Sequence, residues 1–161
     1  MIAVRLVRLI EQHSDELTET LLERFQSSPR TSDLGKVPAH ELRCRSSEII
    51  HNLSDWLLSK SDAEVERRYR EIGARRAAQG VSLAHVCWGI FLTKEHIWNF
   101  LQREGFLRGA LEIYGEMELL RLLDQFFDRA VCYCAAGYEQ AMMNGTGAFP
   151  IDKRSLPAAT V

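Results

Sequence analysis

The sequence predicts an all-α protein, and three features carry that expectation. Apolar residues recur at steps of three and four along most of the chain, no window alternates as a half-buried strand does, and the C-terminal third holds a heptad-like seam. The chain has 161 residues, 26% charged and 46% hydrophobic, which is enough for one compact core and excludes a mostly disordered or fibrous protein. A formal charge of −2 gives no general attraction to nucleic acid or to an anionic membrane. No Gly-rich phosphate-cradling loop is present, which removes the common nucleotide enzymes.

Five main helices follow from the pattern. The first, Val4 to Phe25, is amphipathic through Leu6, Leu9, Ile10, Leu17, Leu21, Leu22 and Phe25, and Ser27 to Gly35 reads as a loop. Pro38 suits the first turn of a second helix that runs to about Ser59, with Ile49, Ile50, Leu53, Trp56 and Leu57 as its stripe. Ser61-Asp62 caps a third helix in front of Glu64, and Gly80 ends it. The fourth opens at Ser82 and reaches about Glu104. The last, long for a globular protein, runs from near Gly109 to about Met143. Residues 1–143 are thus expected to form a helical domain and 144–161 a linker or disordered tail.

The last helix carries two apolar stripes. Ile113, Met117, Leu120, Phe127, Val131, Cys134, Tyr138 and Ala141 form a heptad seam interrupted by Asp124, and Leu119, Leu122, Leu123, Phe126, Ala130 and Tyr133 lie beside it. One neighbour cannot cover both. Either both stripes are intradomain core, or the seam pairs with a second copy, with Met117, Leu120, Phe127, Val131, Cys134 and Tyr138 as the dimer interface.

Arg5 and Arg8 interrupt the apolar N-terminus before a signal-peptide core can form. The longest uncharged stretch, residues 77–93, holds Gln79, Gly80, Ser82 and His85 and falls short of the roughly 18 apolar residues that span a bilayer. Cys44, Cys87, Cys132 and Cys134 are too few and too unevenly spaced for a disulfide framework, so a cytoplasmic protein with reduced thiols and no membrane span is expected.

Candidate chemistry is sparse. His40 with Cys44 and His51 with Asp55 share helix faces as half-sites for a metal, yet no closing half follows. His85 and His96 also share a face, but eleven helical residues separate them by about 16 Å. Either histidine is a candidate haem ligand in a helical domain, although a lone histidine on such a face is more often hydrogen-bonded core. The string His40-Glu41-Leu42-Arg43 is similar to the phosphoacceptor box of sensor histidine kinases, which keeps a phosphorelay through His40 as an alternative. Cys44-Arg45-Ser46 then replaces the Thr-Pro pair of that box. Cys87 and His85 do not face each other on a helix, so no nucleophile and base pair arises. The arginine-rich run Glu64 to Arg76 contains Glu64/Arg68, Glu66/Arg70 and Glu71/Arg75 in the favourable i,i+4 order, the pattern of a solvated, ion-paired surface.

The passage Tyr69 to Leu83, with the spacing Tyr69, Gly73, Arg76, Gly80, Leu83, together with Trp56 before it and Trp98 after it, resembles the N-terminal sensor domain of RsbR-type stressosome proteins, a domain also found in front of bacterial histidine kinases. The resemblance covers roughly residues 1–143. It implies a globin-like, haem-free helical bundle that has no enzymatic activity and no cofactor, dimerises, and passes a signal through its last helix to a C-terminal effector or kinase module. In that reading Gly73 permits a close helix approach, and Gly80 takes a left-handed backbone conformation.

Overall fold

The computed structural model describes residues 2–104 and 110–145, the second segment with side chains from Ile113 onward. Six α-helices occur there: α1 (Ile2–Gln12), α2 (Ser14–Ser27), α3 (Ala39–His51), α4 (Asp62–Ala78), α5 (Leu83–Glu104) and α6 (Ala110–Met143). A 3₁₀ segment, Pro29–Lys36, joins α2 to α3, and a π-helical turn, Asp55–Ser59, lies between α3 and α4. Among the described residues there is no strand, so the all-α expectation holds. The expected tail lies outside the described residues from position 146, and so does Gly109.

Two expected helices are broken, and in each case a tertiary contact supplies the reason. The first divides at His13, whose backbone (φ −104°, ψ 18°) leaves the helical region. Its N–H bonds to the Ile10 carbonyl, and the change of direction lets Leu6, Val7 and Ile10 on one side and Leu17, Leu21 and Phe25 on the other enter the same core. The second ends at His51 instead of Ser59. At the break the Glu11 carboxylate accepts hydrogen bonds from the Ser54 N–H (2.7 Å) and hydroxyl (2.6 Å), offering Ser54 an acceptor outside the helix. The wide turn that follows carries Trp56 inward, where it is 8% exposed.

The loop expected at 27–35 is more ordered than its Ser/Pro/Gly content suggests. Ser28 caps the 3₁₀ segment by accepting from the Arg30 N–H, Pro29 occupies its first position, and the buried Thr31 hydroxyl donates to the Phe25 carbonyl at 2.8 Å. Its far end is clasped to α5. The Ser82 N–H donates to Asp33 Oδ2 (3.0 Å), and the Asp33 N–H donates to His85 Nδ1 (3.0 Å).

The start and end of α4 agree with the sequence. Ser61 and Glu64 form a reciprocal capping box, and Gly80 takes φ +74° just beyond the C-terminus. The most extensive helix pair is α4 against α6, and glycines make it so close. A Cβ on Gly73 would collide with the Cys134 carbonyl, and one on Gly137 would collide with the backbone of Arg70. The two helices therefore meet backbone to backbone, as the position of Gly73 inside a helix anticipated. Gly137 is the matching half, and the sequence had not singled it out.

On α6 the core takes Leu119, Leu123, Phe126, Phe127, Ala130 and Cys134. Phe127 and Cys134 thus belong to the interior of the chain's own bundle, 2% and 0% exposed, which corrects their expected place at a dimer interface. The correction is geometric: α4 and α5 approach α6 from two sides and bury more than one stripe.

Candidate functional site

The family-like residues form one packing unit. Tyr69 meets Trp56 edge-on at 6.0 Å, and both rings contact Phe126, at 5.6 and 5.8 Å from Tyr69 and Trp56 respectively. One and two turns on, the same face of α4 presents Gly73 to α6 and Arg76 towards α3. Leu83 is half-buried at the start of α5, and Trp98 packs half-buried against the core from the other end of that helix. Tyr138 is half-buried too, its hydroxyl donating to the Val81 carbonyl at 2.8 Å, which ties α6 to the turn after Gly80.

The arginine run of α4 departs from the solvated surface expected of it. Of the three anticipated i,i+4 pairs only Glu66–Arg70 forms, at 2.8 Å. Arg68 reaches Glu48 on α3 (2.8 Å) and Glu71 (3.4 Å), whereas Glu64 serves the capping box. Arg75 and Arg76 both donate to Glu41 on α3, at 2.9 and 2.7 Å, and Gln79 joins them at 3.1 Å. Arg76 is 4% exposed. These long side chains bridge a cleft of about 440 Å³ between α3 and α4, and inter-helix pairing replaces pairing along the helix. The hydrogen bonds from Arg75 and Arg76 outweigh burial and push the Glu41 carboxyl down to about 2. Glu41 and Glu48 were legible only as polar residues on the face of α3, because nothing in a linear sequence places them opposite α4.

The other candidates have local structural partners. His96, 7% exposed, hydrogen-bonds through Nε2 to the Thr20 hydroxyl at 2.9 Å, and burial lowers its proton affinity. His85 is occupied by the Asp33 N–H. His40 is exposed at the rim of the arginine cleft. Among the described residues no three His, Cys, Asp or Glu side chains gather as metal ligands, and all four cysteines are free thiols. Burial pushes the Cys134 thiol up to about 12, the reverse of what a nucleophile needs.

On the outer side of α6, Ile113 (53% exposed), Tyr114 (72%) and Met117 (63%) are uncovered, and Leu120 and Val131 are half-buried. Lys94 of α5 bridges to Asp124 (3.1 Å) and Asp128 (3.3 Å), so the charged interruption of the seam is paired within the chain.

The distinctive residues of this helical bundle are packing glycines, clustered aromatics and a buried ion pair. The family model of the RsbT co-antagonist protein rsbRD N-terminal domain matches residues 15–143, and the chain belongs to that family, a stressosome-type signal-transduction domain. Comparison with the curated proteins and with the solved structures yields no match. No helix among the described residues is long and apolar enough to cross a membrane.

Proposed function

We propose that this domain is a non-enzymatic sensor of globin-like design that pairs with a second copy along α6 and relays its signal through that helix to an effector, such as a histidine kinase or stressosome module, joined beyond residue 143. The observation that carries this reading is the uncovered apolar surface of α6. Ile113, Met117, Leu120 and Val131 follow the seam, and Phe91, 41% exposed, stands on α5 one turn before the Lys94 bridge to α6. Burying such residues against a copy returns roughly 25 cal/mol per Å² of apolar surface. Phe127 and Cys134 contribute by holding α6 against the bundle, and Tyr138 by tying it to Val81.

Light scattering on the purified protein tests the pairing. The expected mass is about twice the chain's 18.4 kDa. Met117→Glu with Leu120→Glu is expected to return it to that of one chain while helicity by circular dichroism is unchanged. A wild-type protein of single-chain mass at micromolar concentrations overturns the pairing.

A further inference from the structure

The arginine cleft shares a wall with a second, mainly apolar space. This chamber of about 90 Å³ is lined by core side chains that include Phe25, Leu42, Ile49 and Phe127, and Arg45, Ile72 and Arg76 line both spaces. Arg45 stands on α3 one turn from Glu41 and one turn from Glu48, opposite Ile72 of α4. Among the described residues its guanidinium makes one hydrogen bond, from Nη1 to Glu48 at 2.8 Å. A guanidinium carries five N–H donors in a fork suited to a carboxylate. Across the cleft the Nε of Arg68, shielded from solvent, has no acceptor among the described residues. Four arginines, at 45, 68, 75 and 76, face the three carboxylates of Glu41, Glu48 and Glu71, which leaves one positive charge in excess.

We propose that this cleft binds a short-chain monocarboxylate, its carboxylate held by Arg45 and Arg68 and its hydrocarbon body lodged past Ile72 in the apolar chamber. The single excess charge favours a monoanion over a phosphate dianion. The apolar space sets the length: a cavity of about 150 Å³ takes benzene, so 90 Å³ admits a body of roughly four carbons. Occupancy also has a consequence for the helices. A carboxylate on Arg45 and Arg68 competes with Glu48, one of the two carboxylates of α3 that hold α4, and α4 meets α6 at Gly73 and Gly137. The site would thereby supply the ligand class for the sensory reading on which it rests.

Isothermal titration of the full chain with pentanoate tests the site, with formate as charge without body and 1-pentanol as body without charge. Pentanoate is expected to saturate at one per chain and to bind at least about tenfold tighter than either control, a difference of about 1.4 kcal/mol. Arg45→Met, which keeps the stem and removes the charge, is expected to weaken it at least about tenfold, and Arg45→Lys to recover part of the loss. Thermal melts of both variants establish that they fold. Absence of saturable pentanoate binding, equal binding of 1-pentanol, tighter binding of inorganic phosphate, or an unaffected Arg45→Met each overturns the proposal. The mass measurement above is independent of this titration, so failure of the pairing and failure of the ligand site are told apart.

Discussion

At the scale of single residues, the Glu41–Arg76 pair and the two signature glycines make the sharpest demands. Glu41 is depressed to about 2 in the fold from an ordinary 4.5, so the stabilisation it provides is present in full above about pH 4.5 and is lost as pH falls through about 2. Glu41→Gln is expected to remove that part of the acid limb. It also leaves buried Arg76 without its counter-charge, a change expected to cost about 3 kcal/mol at neutral pH by urea unfolding. Gly73→Ala is expected to cost about 3 kcal/mol, the upper end for overpacking, because the obstacle is a backbone carbonyl that cannot rotate away. Gly80 behaves differently. A Cβ there meets open space, so the penalty is the left-handed backbone alone: Gly80→Asn is expected to melt close to wild type and Gly80→Val to lose about 1–2 kcal/mol.

Among the elements, α4 depends most on its own ends. The Ser61–Glu64 capping box satisfies N–H groups that the helix leaves open, and Ser61→Ala is expected to cost about 1 kcal/mol by thermal unfolding. Beside it the Asp62 carboxylate accepts from the Tyr133 hydroxyl at 2.7 Å and from Arg129 at 3.2 Å, so the same turn that starts α4 is held to α6. With the Gly73 crossing about three turns further on, α4 is fastened to α6 at two separate points. Where Gly73 and Gly137 cross, two backbones are in direct contact with no side chains between them.

For the whole molecule, two of the groups whose proton affinity the fold shifts, His96 and Glu41, act at different stages of acidification. Burial, with Arg24 nearby, lowers the proton affinity of His96 below its ordinary 6.5. The unfolded chain therefore binds the proton more readily, and stability is expected to decline as pH falls below about 6.5, before the Glu41 stage begins below about 4.5. His96→Gln, which retains a hydrogen-bonding group near Thr20, is expected to flatten the first decline and leave the second. Equal slopes in the two proteins between pH 6.5 and 5 would show that His96 takes no part in it.

Helical class, the boundaries of α4 and α5, the cap at Ser61 and the turn at Gly80 were legible from the sequence, because each rests on local chemistry: apolar steps of three and four, a hydroxyl that satisfies open N–H groups, and a backbone that only glycine adopts without strain. Gly73 was legible for a related reason, since a glycine inside a helix weakens it unless something comes close. Other features needed the fold. The chain turns at His13 so that both halves of the first helix reach one core, the Ser54 N–H just past the end of α3 goes to Glu11, and Gly137 matters because Arg70 lies opposite. The arginines of α4 read as a solvated ladder until α3 set Glu41 and Glu48 across a cleft from them. The division of α6 between core and surface is of the same kind. Its sequence determined that more than one stripe is apolar, and only the approach of α4 and α5 decided that Phe127 and Cys134 face inward while Met117 faces out, because periodicity fixes which residues share a face but not which neighbour covers it.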